Sequence, residues 1–391
     1  MTGPAGATVR LRPLSVVEDG DDVLVGDPET GTFVAIPPVG AVVIAALRRG
    51  DSVAAAAREA EAFAGEPVDV PDFVATLRDL GFVETGPPAP AGGAAPGRPG
   101  RWARVLFGRT AWAVYAACAL FDLAVLAVWP PARPDPGSDA FVFAAAGPSA
   151  LVLTPFALAV MGVHECWHWL AARAAGVPAR FGLDRRVLFL VFETDLSQLW
   201  TLPRRRRYGP LLAGLAVDGA VLSCLLAARL AGLGLPVLGA WSFVLVSHMV
   251  WQCMIFLRTD LYAVLVTATG CRDLWRVKTL LLRRAFGRLG PDGEAELAAA
   301  HPRDLRVGRW FRWLWLAGFG VVAGWAAVFF VPVVPPVVDW TAGHLANGPL
   351  TWDFWYGLGC AAVIFVPWAA VAALAGREYL GRLRLWIIER R

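Results

Sequence analysis

The stretch Met161-Gly162-Val163-His164-Glu165-Cys166-Trp167-His168-Trp169-Leu170 places an H-E-x-x-H pattern inside an apolar helical run. On a helix, residues i and i+4 share one face a turn apart, so His164 and His168 can bind one zinc ion through their ring nitrogens. Glu165 then sits beside the ion, where a carboxylate can take a proton from a water that the metal activates. Two histidines satisfied by hydrogen bonds in a helix bundle are the bland alternative. Against it stands the setting, since few polar residues flank the pattern and ionisable groups inside a membrane are costly and mark function.

A catalytic zinc ion usually takes three protein ligands, and two histidines leave it one short. Three residues compete for that place. Asp260, in Phe256-Leu257-Arg258-Thr259-Asp260-Leu261-Tyr262, lies at the end of an apolar run at a depth that suits the pattern. Asp218 and His248 lie within such runs and are the rivals, because buried ionisable groups face a bundle interior.

The elements that must position these residues are read from composition and pattern. Of 391 residues, 57% are hydrophobic and only 17% charged, against about 25% in soluble domains, which points to a membrane protein. The six cysteines are scattered without a C-x-x-C pair, so they read as small buried hydrophobes. No signal peptide opens the sequence, and the amino terminus reads as a cytosolic globular domain.

Residues 12–85 form a small domain. Val23-Leu24-Val25 and Thr32-Phe33-Val34-Ala35-Ile36 are strand patterns around the turn chemistry of residues 26–31, giving a hairpin. A helix over 39–47 follows, then a second capped by Ser52, then a third opened by Asp69 with Pro71 and ended at Leu80-Gly81. Phe82-Val83 forms a short closing strand. Residues 86–101 alternate proline and glycine and read as a linker. Residues 102–391 hold about six spans by apolar length, over 110–130, 149–172, 209–233, 238–258, 312–335 and 355–376.

Arginine clusters precede the first span, separate the second from the third and the fourth from the fifth, and follow the sixth. The positive-inside rule then puts both termini in the cytosol and H-E-x-x-H near the cytosolic face. Orientation and lipid headgroup contact explain the run Arg204-Arg205-Arg206-Arg207 better than nucleic-acid binding does. Residues 181–200 read as a strand or re-entrant hairpin at the membrane surface, able to hold an extended substrate or simply to lie at the interface. The fold class is thus an α-helical polytopic membrane protein with a short β-hairpin, preceded by a small α+β winged-helix-like domain.

Two resemblances follow from these residues. Val23-Leu24-Val25-Gly26-Asp27-Pro28-Glu29-Thr30-Gly31, Val39-Gly40 and Leu77-Arg78-Asp79-Leu80-Gly81-Phe82-Val83 resemble the PqqD-like domain that recognises leader peptides of ribosomally made, modified peptides. The resemblance implies that a leader adds as a strand beside Thr32 to Ile36, near Phe73 and Leu77. DNA binding is disfavoured, because Asp72 and Asp79 sit where a basic recognition helix would be needed.

His164-Glu165-Cys166-Trp167-His168 together with Phe256-Leu257-Arg258-Thr259-Asp260 and Tyr262 resembles site-2-protease-type intramembrane zinc metalloproteases, in particular a bacterial peptide-processing branch. Thr194-Asp195-Leu196-Ser197, Trp200, Leu202-Pro203 and Leu212-Ala213-Gly214 match segments between its two metal motifs. That branch carries a later N-x-x-P-x-x-x-x-D-G, and here Gln252, Ile255 and Leu261 stand at its asparagine, proline and glycine positions. Asp218 stands where the family often has an asparagine. The resemblance implies Zn2+ held by His164, His168 and Asp260, with Glu165 catalytic.

The expected activity is that of a zinc endopeptidase in the bacterial cytoplasmic membrane, acting on a precursor peptide recognised through its leader. Expected partners are the precursor or leader peptide, membrane lipid, and biosynthetic-enzyme or transporter components, with no nucleic acid. Two alternatives stay open: a regulatory site-2 protease cleaving a membrane-bound regulator, and a non-catalytic membrane or export partner.

Overall fold

The fold comes from a computed structural model, which describes residues 8–20, 22–28, 30–84, 100–186, 189–325, 327, 331–366, 369 and 373. It is mostly helical (71%), so its two small sheets are local features.

The amino-terminal sheet is antiparallel in the order β1 (Ser15–Asp19), β2 (Asp22–Asp27), β3 (Thr32–Ile36), with Asp19 opposite Asp22 and Asp27 opposite Thr32. Its two turns therefore lie at opposite ends, and the outer side of β3 is an edge. Helices α1 (Pro38–Arg49), α2 (Val53–Ala64) and α3 (Val70–Asp79) follow. The Ser52 hydroxyl accepts the Ala55 amide at 3.3 Å and the Asp69 carboxylate accepts the Asp72 amide at 3.0 Å. Each such cap stabilises its helix by about 1 kcal/mol. Val25, Ile44, Leu77 and Phe82 form one core between sheet and helices, all fully buried. The hairpin of the sequence reading gains a third strand, β1, and its closing strand is a single bridge between Leu11 and Val83. The linker expected over 86–101 lies outside the described residues except for Gly100 and Arg101.

Among the described residues, three helices are long and apolar enough to cross a membrane: Arg101–Val128, Ala146–Ala174 and Arg204–Leu230. The first comprises α4 (Arg101–Phe107) and α5 (Arg109–Val128). After the single-turn α6 (Pro136–Asp139), the second is α7 (Ala146–Ala174). An antiparallel hairpin, β4 (Arg180–Arg186) with β5 (Phe189–Asp195), and a 3-10 turn over Ser197–Thr201 lead into the third, α8 (Arg204–Leu230). Small residues on α7 and α8, among them Ala171, Ala172, Ala213 and Gly214, are buried and let the two backbones approach closely.

Beyond α8 the expected spans change shape. The run 238–258 is not one helix, because α9 (Pro236–Gln252) stops and a 3-10 turn over Ile255–Leu257 intervenes before α10 (Asp260–Thr269). Arg258 at that junction has φ +60°, the only positive-φ non-glycine among the described residues, which reverses the chain at a cost of about 1 kcal/mol. Amphipathic α11 (Leu274–Ala285) and α12 (Pro291–Ala299) precede α13 (Pro302–Trp325). That last helix begins well before the expected span at 312, and its first turns carry Arg303, Asp304, Arg306 and Arg309. Helix α14 (Val331–Leu345) and an apolar helix over Trp352–Val366 follow, and most of the expected span beyond 366 lies outside the described residues.

Candidate metal centre

His164 and His168 lie one turn apart on α7 and are fully buried against α8. Their Nε2 atoms are 3.1 Å apart, and Asp260 Oδ2 stands 2.9 Å from the first and 3.1 Å from the second. These three atoms form a nearly equilateral triangle. A tetrahedral ion with bonds of 2.0–2.2 Å separates its ligand atoms by about 3.3 Å, so the triangle is close to what zinc requires.

Both remaining ring nitrogens are occupied. His164 Nδ1 donates to Asp218 Oδ2 at 2.7 Å, and His168 Nδ1 donates to the Pro210 carbonyl at 2.7 Å. Protons fixed on Nδ1 leave the two Nε2 lone pairs facing the point that Asp260 also faces. Gly214 of α8 lies across this point, where a Cβ would fall on the Nε2 atoms of both histidines. The residues present therefore fit a metal ion: three converging donors, oriented rings, and a space that only glycine leaves open.

Asp260 reaches the centre because α9 and α10 are tied at their junction. Thr259 Oγ1 donates to the Gln252 carbonyl at 2.7 Å, and the Asp260 amide faces Gln252 Oε1 at 3.5 Å. Asp260 is also the first residue of α10, where the helix dipole favours a negative charge. The 3-10 turn and left-handed Arg258 thus supply the break between α9 and α10.

Glu165 is half-buried, and its Oε2 accepts the Thr194 amide at 2.8 Å. The Thr194 hydroxyl donates to the Glu165 carbonyl at 2.9 Å. One carboxylate oxygen of Glu165 is thus anchored by the backbone of β5. His164, His168 and Asp260 come together in space, and Glu165 follows His164 on α7.

The two rival ligands lie one layer behind. Asp218, 2% exposed, is taken by His164 Nδ1, and His248 Nε2 sits 3.5 Å from the same carboxylate oxygen and 3.4 Å from His164 Nδ1. His164, Asp218 and His248 make a second convergent group, but it shares its histidine with the first and its shortest contact is hydrogen-bonded. Gly214 and Thr194, which the sequence offers only within the segments that carry the resemblance, line the site, and the Pro210 carbonyl joins it with no signal in residue type. Compared with known protein families, characterised proteins and solved structures, the chain matches none.

Proposed function

We propose that this chain is a membrane-embedded zinc endopeptidase of the bacterial cytoplasmic membrane, with about six spans and both termini in the cytosol. It matures a precursor peptide captured through its leader by the amino-terminal domain. The observation that carries the catalytic half is the pair of Nδ1 contacts to Asp218 and the Pro210 carbonyl, with both histidine Nε2 atoms and Asp260 Oδ2 converging on one point. The resemblance of residues 164–168 and 256–262 to site-2-type proteases supplies the reaction class, and that of the amino-terminal domain supplies the client.

His164, His168 and Asp260 would hold the ion, with Asp218 and the Pro210 carbonyl keeping both rings in register. Zinc, when bound, supplies a Lewis acid that polarises the scissile carbonyl and lowers the pKa of water. Glu165 takes a proton from the attacking water on its free oxygen and returns it to the leaving amine. The buried face between α7 and α8 limits solvent around these groups, which strengthens each electrostatic contact.

The decisive comparison is purified wild type against Glu165→Gln, each incubated with the precursor peptide encoded beside the gene. A general base contributes about 10²–10⁴-fold, so the variant should lose at least that much activity while keeping its zinc. Equal processing by both proteins, or processing by neither, would sink the protease assignment. Zinc content tests the ligands separately. His164→Ala, His168→Ala and Asp260→Ala should each lose zinc, and full occupancy in Asp260→Ala would remove Asp260 from the set.

A further inference from the structure

Two contacts from β5 end on Glu165. Thr194, 4% exposed, grips Glu165 twice, through its amide to Oε2 and through its hydroxyl to the backbone carbonyl. Three residues later the 3-10 turn Ser197–Thr201 begins, and the short link is stiffened by the Ser197 amide donating to Asp195 Oδ1 at 2.9 Å. That turn is where the amino-terminal domain is seated. Gln198 Nε2 donates to the Pro28 carbonyl in the turn between β2 and β3, and Gly31 of the same turn backs onto Ser197.

The other end of the sheet is held by charge. Asp19 accepts Arg204 Nε at 3.0 Å and lies 3.4 Å from Arg207 Nη1, while Asp22 pairs with Arg272. Arg207 is 2% exposed, its Nε donates to the Leu202 carbonyl at 2.8 Å, and its guanidinium lies over the Trp200 ring at 4.8 Å. One buried cation thus joins Asp19 of the first domain to the end of the turn that starts beside Thr194. A buried guanidinium stripped of an acidic partner is strongly destabilising, so this junction resists partial opening.

We infer that docking of the amino-terminal domain on the Ser197–Thr201 turn positions Glu165, with Thr194 as the positioning residue. Only Asp195 and Leu196 separate Thr194 from the turn, so a displacement of the turn moves the amide that fixes the glutamate oxygen. The domain that captures a peptide thereby also sets the register of the proton-transfer group. This inference rests on the proteolytic reading for its kinetic consequence and on geometry alone for its structural one.

The test uses the full chain in lipid nanodiscs with two readouts, hydrogen exchange over residues 194–201 and cleavage of the precursor peptide encoded beside the gene. Asp22→Arg should undock the domain, speed exchange in that stretch on the order of tenfold and lower kcat with zinc content unchanged. Arg272→Asp added to Asp22→Arg should restore both, which a folding defect would not. Thr194→Val, which loses the hydroxyl, should lower kcat with KM unchanged, and Thr194→Ser should keep wild-type kcat. Unchanged exchange in Asp22→Arg overturns the inference, as does faster exchange with wild-type or higher kcat. Absence of cleavage by wild type would defeat the protease assignment and the kinetic coupling with it, whereas the exchange data would still decide whether the domain controls the turn.

Discussion

The contact between His164 Nδ1 and Asp218 decides which ring nitrogen faces the centre. Partners of this kind fix the tautomer and raise the donor strength of the other nitrogen, and their loss typically costs 10–100-fold in metal affinity. Asp218→Leu should therefore weaken zinc binding by about that factor in a chelator competition, and Asp218→Asn, which keeps an acceptor oxygen, should weaken it less. Equal loss in both variants would show that the charge of Asp218, and not its hydrogen bond, is what matters. Gly214 carries the complementary prediction. Gly214→Ala places a methyl on the two Nε2 atoms and should leave the folded protein without zinc, so wild-type zinc content in that variant would contradict the location of the ion. The convergence of His164, His168 and Asp260 is legible in the sequence, because their types and spacing suit one group of metal-binding atoms. Gly214 and Thr194 are legible only as parts of the segments that carry the resemblance, since neither residue type by itself marks a contact with the histidines or with Glu165. Asp218 and His248 were legible as candidates, but their rank behind the ligands depended on geometry.

Among the elements, legibility followed the strength of the local signal. Ser52 and Asp69 cap helices where their side chains had placed helix starts, and the pattern of residues 32–36 is β3. β1 was missed because Ser15-Val16-Val17-Glu18-Asp19 is half polar, and only pairing with β2 makes it a strand. The apolar run 238–258 hid its break, since the reversal is made by Arg258 in a left-handed conformation that no glycine or proline announces. Just beyond that break, α11 carries Lys278, the single lysine of the chain, 3% exposed. Its ammonium lies between the faces of Trp275 and Trp315, 3.7 and 4.0 Å from their centroids. Burial, with Arg258 nearby, pushes its pKa down to about 8, while the tryptophan faces favour the charged form and limit the fall. Selective 15N-lysine labelling observes this one group, which should titrate near 8. A lysine depressed in the folded state holds fewer protons there than in the unfolded chain between the two pKa values. Stability relative to Lys278→Met should thus rise from pH 8 toward 10 and be lowest below 8. A midpoint above 10 would mean that the aromatic faces outweigh burial.

At the scale of the whole molecule, one side must serve both halves. The amino-terminal domain is seated on the turn before α8 and on Arg204, Arg207 and Arg272, the same arginine-rich segments that the positive-inside rule assigns to the cytosol. Domain, turn and the Arg204 end of α8 therefore share a face, and the connection between α5 and α7, which holds Ser138, belongs to the opposite one. The three apolar helices do not by themselves orient the chain, because length and composition are symmetric with respect to the two sides. Charge breaks that symmetry, and labelling can read the result. In intact cells a membrane-impermeant maleimide should modify Ser138→Cys in a background where Cys118, Cys166, Cys224, Cys253, Cys271 and Cys360 are replaced. Asp51→Cys, in the amino-terminal domain, should react only after the membrane is permeabilised. The reverse pattern would put the amino-terminal domain outside the cell and contradict its proposed capture of a newly synthesised precursor. Labelling of both positions in intact cells would deny that the chain between them crosses the bilayer an odd number of times, and with that the orientation on which the precursor assignment depends.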